Sequence, residues 1–312
     1  MYHNAPMCPP ELYQHAAIIG ADISYVQGPG GNVSVKQDGI LWIKASGTQM
    51  STALEHSIFV GLDIVEAARI SMLDDSSKMM DAVLPGSTPG LRPSIETAMH
   101  AIIPARVVSH VHSVGAVAVG ILADPTQAIE ELSEIIPLAR VPYVRPGAPL
   151  ARAIQEVLEP HHKGLLLGNH GLTVWGDSFS ETEVLIEQIE KAWRKGKSDI
   201  FPDALDDSVG KCEPFWVDAL RGGTLVPDEA VLLGVQAFAS LKKKSNEKII
   251  FDENCIGRPD QILSDDARDI ARMLISVGQH VDANATLTYL SDAEVAELLN
   301  WDMEKFRQEM SK

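Results

Sequence analysis

Cysteine is scarce: three in 312 residues, Cys8, Cys212 and Cys255, far apart and without a C-x-x-C pair. An odd number at such spacing argues against a disulfide scaffold and suits a reducing compartment, so a cytoplasmic protein is expected. Basic residues are also few, with 26 Lys and Arg against 43 Asp and Glu and a formal net charge of −17. A surface of that sign repels phosphate backbones, so no nucleic-acid partner is expected. A local nest of backbone N–H groups could still hold one phosphate. No apolar run is long enough to span a bilayer, VGAVAVGIL at 114–122 being too short, so no membrane partner is expected. The opening MYHNAPMCPPELYQH lacks a basic start followed by an apolar stretch, so no signal peptide is expected. Internal repeats, low-complexity tracts, the P-loop, the dinucleotide fingerprint G-x-G-x-x-G and the hydrolase patterns H-E-x-x-H and H-x-H-x-D-H are all missing.

What is present is an ordinary globular composition, 45% hydrophobic and 22% charged, enough for a sizeable core. Residues 11–27 read as a helix through Leu12, Ala16, Ile19 and Ile23. GGNVSV, Asp38-Gly39 and ILWIKASG read as a hairpin. Residues 62–72 read as a helix, 75–91 as a loop, and Pro93-Ser94 opens a helix to about 103. RVVSHVHS at 106–113 reads as a strand, followed by a small-residue helix to about 122. A helix is expected over 149–159. GLLLGNHGLTVWG at 164–176 reads as two strands joined at Asn169-His170-Gly171. An amphipathic helix over 180–198 has Ser180 as its expected N-cap. Beyond 200 the pattern is mostly helical, with one strand at KIIF and a capping box at Ser291-Asp-Ala-Glu294 opening a helix to about 309. The fold expected is α/β, with a core domain over 8–200 and a mainly helical C-terminal extension over 201–312. Tight turns between strands favour a largely antiparallel sheet.

His110-Val111-His112 lies in the strand at 106–113. Side chains at i and i+2 share a face, so both imidazoles can reach one ion about 2.0–2.1 Å from each nitrogen. The competing reading is two histidines paired on a surface strand. Glu96 lies near the start of the helix that feeds this strand, and His170 lies in the turn Gly168-Asn169-His170-Gly171. Three His and one carboxylate satisfy a four-ligand zinc shell, and imidazole also suits Mn2+, Co2+ or Fe2+. Glu96 equally reads as first-turn decoration favoured by the helix dipole, and His170 as a plain turn residue. His100, four residues after Glu96, is a rival ligand or a packing residue.

A second constellation is Gly28-Pro29-Gly30-Gly31-Asn32-Val33-Ser34 before one strand of the hairpin and Ser46-Gly47-Thr48 after its partner. Hairpin geometry can bring these ends together, where glycine N–H groups could approach an anion and Asn32, Ser46 and Thr48 add donors. A flexible loop is the competing reading.

G-G-N-V-S-V-K at 30–36, I-K-A-S-G at 43–47, P-S-x-E-T-x-x-H at 93–100, H-V-H-S at 110–113 and N-H-G-L-x-V-W-G at 169–176, in that order, resemble the class II aldolase/adducin family over about 10–200. The resemblance implies a three-layer α/β/α domain around a central, mostly antiparallel sheet. It implies zinc on His110, His112 and His170, with Glu96 as general acid/base close to the metal and able to ligate it. A substrate phosphate or its equivalent would rest on Gly31, Asn32, Ser46, Gly47 and Ser94. Tyr143, in V-P-Y-V-R-P-G, matches a tyrosine that some members donate across a subunit interface to protonate substrate; otherwise it is a strand-end packing residue. Rings of four subunits are the family's habit. Two departures stand out: Ile95 replaces a serine of phosphate-binding members, and the connection from Glu96 to His110 is short, cut by Pro104.

The function this implies is an aldol or retro-aldol reaction on a small hydroxylated ketose or keto-acid, phosphorylated or not. The metal would act as a Lewis acid stabilising an enediolate. Glu96 would move the proton at carbon, its pKa raised by burial beside apolar neighbours. An epimerase or decarboxylase would use the same ligands, whereas a non-catalytic adducin-like scaffold is expected to lack an intact set.

Overall fold

The computed structural model describes residues 7–73, 75–87, 90–133, 136–197, 201, 207–240, 248–302 and 304–305. Seven strands form the central sheet: β1 (Asn32–Gln37), β2 (Ile40–Lys44), β3 (Phe59–Asp63), β4 (Val107–Val111), β5 (Leu138–Val141), β6 (Gly164–Leu167) and β7 (Gly171–Gly176). Their order is β3-β2-β1-β4-β7-β6-β5. Every neighbouring pair is antiparallel except β5–β6. The β1–β2 hairpin turns on Asp38 and Gly39, both at positive φ (53° and 77°), the backbone that a two-residue hairpin loop demands and an Asp-Gly pair supplies.

Ten helices accompany the strands among the described residues: α1 (Pro10–Gly20), α2 (Ile64–Ile70), α3 (Thr97–Ile102), α4 (Val114–Gly120), α5 (Thr126–Ser133), α6 (Ala148–Val157), α7 (Phe179–Trp193), α8 (Pro214–Gly222), α9 (Asp265–Val277) and α10 (Asp292–Asn300). The alternation of strand side chains builds two cores. Ile40 and Trp42 of β2 join Leu12, Ile19, Ile186 and Trp193 of α1 and α7. Leu41 and Ile43 of the same strand join Ala67, Ile70 and Ala98 of α2 and α3. Along that second face Val108 and Leu165 meet Met99 and Ile154. The sheet is therefore the middle layer of an α/β/α sandwich, as expected.

Several local expectations are corrected. The first helix stops at Gly20, where a Cβ would lie 2.4 Å from the Ser51 backbone nitrogen; the chain crosses itself too closely for the helix to run on. The expected loop at 75–91 contains a 3-10 segment, Ser76–Ala82, started by Asp75, whose side chain accepts the Ser77 N–H. Ser178, not Ser180, caps α7: its Oγ accepts the Glu181 N–H at 3.2 Å, while Glu181 accepts the Asp177 N–H at 2.8 Å. The Ser291–Glu294 capping box is present, but α10 ends at Asn300, and its expected continuation past 305 lies outside the described residues.

The C-terminal region holds more helix than strand, but it also holds a four-stranded sheet, where one strand was expected. Its strands are β8 (Gly210–Lys211), β9 (Phe238–Ser240), β10 (Ile249–Phe251) and β11 (Ile256–Pro259), in the order β8-β11-β10-β9. Strands of two to four residues carry too little period to read from sequence. This region docks on α4: Val114, Val117, Ala118 and Ile121 share one core with Trp216, Leu220, Ile270 and Leu274. Each fully buried aliphatic side chain there contributes about 1.5–3 kcal/mol. The helix following the H-V-H segment is thus clamped between the central sheet and the C-terminal region. Among the described residues, no helix is long and apolar enough to cross a membrane.

Candidate metal centre and substrate cavity

The antiparallel register of β1 and β4 places Asn32 directly opposite His110. His112 lies one residue beyond β4, and His170 lies in the turn between β6 and β7, where Asn169 adopts φ 52°, a left-handed backbone that asparagine tolerates. Glu96 sits just before α3 with φ −98° and ψ 10°, in the sparsely populated bridge region where many site residues are found. Four buried side chains, Glu96, His110, His112 and His170, bring one ligand atom each within 4.8 Å of one another.

The spacing suits one ion. His110 Nε2 lies 3.0 Å from His112 Nε2, and Glu96 Oε1 lies 3.4 Å and 3.3 Å from the Nε2 atoms of His110 and His170. A tetrahedral shell with bonds of about 2.1 Å has edges of about 3.4 Å. Glu96 Oε1 is buried with no hydrogen-bond partner among the described residues, an orphaned acceptor aimed into the cluster. The far side of two rings is occupied, as coordination through Nε2 requires. His110 Nδ1 faces Leu172 O and Thr173 Oγ1, each at 3.0 Å, and His112 Nδ1 faces Asp228 Oδ2 at 2.7 Å. The donor set therefore fits a divalent ion.

Burial opposes ionisation of Glu96, but attraction from His110, His170 and His112 and a 2.6 Å hydrogen bond from Asn32 Nδ2 outweigh it and hold its pKa at about 2. The expectation that apolar neighbours raise this pKa is overturned, because the neighbours are imidazoles and an amide. Burial, only partly offset by Glu96, pushes His110 down to about 4. At neutral pH the pair is a carboxylate and a neutral imidazole, the forms that bind metal. His100 stays outside the cluster: it is fully buried, bonds Ser34 Oγ at 2.7 Å, and is pushed to about 3 chiefly by burial.

The cluster opens into a small cavity of about 30 Å³ lined by Gly31, Asn32, Ser46, Gly47 and Ser94, and also by Lys44 and Ile95. Asn32 Nδ2 donates to Ser94 Oγ at 3.1 Å, and the Ser46 hydroxyl is buried without a hydrogen-bond partner among the described residues. Thr48 does not join them, since its hydroxyl turns back to Ala45 O at 2.8 Å. Lys44, to which the sequence reading gave no role, ties the two loops together by donating to Pro29 O at 2.9 Å and Thr48 O at 2.6 Å. The opposite wall comes from far along the chain: Pro227, Asp228, Leu298 and Glu304. None of these was singled out from sequence, and no spacing rule could link them to the histidines. Tyr143 does not line the cavity. Within its own chain it packs against Ala230, Leu290, Val295 and Leu298, and its hydroxyl is buried without a hydrogen-bond partner among the described residues. Burial, then the carboxylates of Glu294, Glu297 and Glu304, pushes that phenol's pKa up.

A family model, the class II aldolase and adducin N-terminal domain, matches residues 12–195. An uncharacterised oxidoreductase, YuxG, of Bacillus subtilis (strain 168) is 30% identical over 202 residues, covering 58% of this chain and 29% of that protein. The chain thus spans less than a third of that relative's length. Methylthioribulose-1-phosphate dehydratase of Kluyveromyces lactis is 24% identical over 189 residues, covering 53% of this chain and 84% of that protein. The N-terminal class II aldolase domain of a conserved protein from Thermoplasma acidophilum shares the fold, with a TM-score of 0.52 at 23% identity over 62% of this chain and 98% of that one.

Proposed function

The chain belongs to the class II aldolase and adducin family, and from that premise we propose that it is a divalent-metal-dependent carbon–carbon lyase acting on a small hydroxylated ketose or keto-acid. The observation that carries this reading is the convergence of Glu96 Oε1 with the imidazoles of His110, His112 and His170 at the spacing of one coordination shell. An intact, buried ligand set speaks against a non-catalytic scaffold. Zinc is the ion proposed, on the ligand chemistry. A metal held there supplies Lewis acidity toward a substrate carbonyl oxygen.

The chain's own groups do the rest. Glu96, ionised at neutral pH, accepts the proton from substrate carbon in the synthetic direction and returns it in the cleavage direction. Asn32, which donates to Glu96 Oε2 at 2.6 Å, fixes the orientation of the carboxylate that moves the proton. Gly31, Asn32, Ser46, Gly47 and Ser94 form the cradle for the substrate end remote from the bond that breaks. Ile95 in that wall offers no hydrogen bond, which weakens the case for a phosphate there. A cavity of about 30 Å³ holds only two or three waters, so a sugar-sized substrate displaces part of the wall. The wall proposed to move is the one carried by α10 and the residues just after it, Leu298 and Glu304. Residues 8–200 are proposed as the catalytic domain, 201–312 as the extension that closes it, and a cytoplasmic homotetramer as the assembly.

A second reading is a dehydratase, favoured by the Kluyveromyces lactis relative; it needs the same proton abstraction beside a carbonyl, followed by loss of hydroxide. Metal analysis of the purified chain and of His110→Ala, with NMR of products from a panel of hydroxy-keto acids and ketose phosphates, tests both. Bound metal in the wild type, none in the variant, and two carbon fragments support the lyase. A single product lighter by water installs the dehydratase, and a single isomer installs an epimerase. A wild-type chain without affinity for zinc, manganese or cobalt overturns the proposal.

A further inference from the structure

We infer that the C-terminal region completes the metal centre, with Asp228 as the residue that positions His112 for coordination. This rests on the metal reading above and extends it to a residue outside the matched family domain, which ends at 195. His112 is 5% exposed and Asp228 2% exposed, and Nδ1 and Oδ2 stand 2.7 Å apart. A carboxylate at that distance accepts the Nδ1 proton, leaving the lone pair on Nε2, which faces His110 Nε2 at 3.0 Å inside the cluster. The equivalent acceptors for His110, Leu172 O and Thr173 Oγ1, belong to the neighbouring strand of the central sheet. For His112 the acceptor arrives from 116 residues away.

The glycine-rich loop is shaped for this contact. A Cβ at Gly30 would lie 2.9 Å from both Asp228 Oδ2 and the Gln27 carbonyl oxygen and 3.0 Å from His112 Nδ1, so only a residue without a side chain fits there. A Cβ at Gly28 would lie 2.7 Å from Asp266 Oδ1, a second carboxylate of the C-terminal region, which Gln49 Nε2 holds at 2.9 Å. Two of the glycines that sequence suggested for an external anion thus make room for the chain's own carboxylates.

Asp228 is also held in place. It directly precedes a π-helical turn, Glu229–Leu233, a local distortion common at functional sites. The Glu229 carboxylate accepts the Leu225 N–H at 2.8 Å. Asn169, adjacent to His170, donates to Leu225 O at 2.9 Å and Thr288 O at 2.7 Å. The turn that presents one histidine ligand therefore anchors the segment that orients another.

The test is zinc affinity of the full chain, measured by competition with a chromophoric chelator, with the visible spectrum of the cobalt-loaded protein as a second readout. Asp228→Ala is expected to weaken zinc by about 10–100-fold. Asp228→Asn, which keeps an acceptor oxygen but not the charge, should fall between it and the wild type. Gly30→Ala, which displaces the carboxylate without removing it, should weaken zinc and alter the cobalt bands in the same direction. Asp252→Asn is the structural control: it alters a turn of the C-terminal sheet, where Oδ1 accepts the Asn254 and Ile256 N–H groups at 2.8 Å and 3.0 Å, and is expected to leave zinc affinity within about twofold. Unfolding scans in chelator establish that each variant folds, and should Asp228→Ala not fold, Asp228→Asn and Gly30→Ala decide. Wild-type zinc affinity in the folded Asp228 variants overturns the positioning role while leaving the metal centre standing. A wild type that binds no metal overturns the metal centre itself.

Discussion

Glu190 offers the sharpest structural test of how the metal strand is held. Its carboxylate is 2% exposed and accepts four hydrogen bonds: Ser113 Oγ at 2.6 Å, Gly115 N–H at 2.8 Å, Ala116 N–H at 3.0 Å and Arg194 Nε at 2.9 Å. It closes the N-terminus of α4 directly after His112, and a Cβ at Gly115 would lie 2.7 Å from its Oε2. Glu190→Ala orphans two backbone donors and a hydroxyl, and takes one partner from the Arg194 guanidinium, which still donates to Ser24 Oγ at 3.0 Å. Each unsatisfied buried donor costs about 1–3 kcal/mol, so three counted independently give roughly 3–9 kcal/mol. That sum overshoots, because burial already disfavours the ionised Glu190, whose pKa is raised, and water can enter the space the carboxylate leaves. The expected net loss is about 3–5 kcal/mol, the range for removing one partner of a buried ion pair. For a chain of this length that is a fall of roughly 6 °C in the unfolding midpoint. Glu190→Gln, which keeps one acceptor oxygen, should lose about half as much. Differential scanning calorimetry of metal-free protein checks both, and a midpoint within about 1 °C of wild type in Glu190→Ala refutes the reasoning.

Glu229 predicts a pH dependence. Burial raises its pKa from 4.5 to about 8, so the folded chain holds a proton that the unfolded chain releases across that interval. Its contribution to stability is full below about pH 4.5 and is lost as pH rises through about 8. Glu229→Gln, neutral throughout, should shrink the stability difference between pH 5 and pH 8.5 by a few kcal/mol in urea titrations, and an unchanged difference refutes the assignment. Gly171 begins β7 beside β4, and a Cβ there would lie 2.3 Å from Val111 O. Gly171→Ala should cost roughly 1–3 kcal/mol and reduce bound metal, because the adjacent His170 turn must shift. Normal metal content and a normal unfolding midpoint together would contradict this.

Where neighbouring residues act on each other, the sequence was sufficient. The Asp38-Gly39 turn, the Ser291–Glu294 capping box and the turn at Asn169-His170-Gly171 are set by local backbone preference, and all were legible. The three candidate histidines were legible for the same reason, since H-x-H and a glycine-flanked histidine are short-range patterns. The capping residue of α7 was missed by two positions, because Ser178 and Ser180 both stand near the same helix start and only the backbone path selects one.

Tertiary structure decided what depends on distant groups meeting. The ionisation of Glu96 reversed from the expectation because the groups that close around it are imidazoles and an amide, and field and hydrogen bonds act over ångströms regardless of separation along the chain. Gly28 and Gly30 stand against the carboxylates of Asp266 and Asp228, neighbours that lie far away along the chain. The closing wall of Pro227, Asp228, Leu298 and Glu304 has no local signature at all, because each of those residues is ordinary until docking of α8 and α9 on α4 carries the C-terminal region over the mouth of the site. Sequence by itself determined which four side chains are candidate ligands; the fold determined the ionisation of Glu96 and His110, the carboxylate that meets His112, and how little space is left beside them.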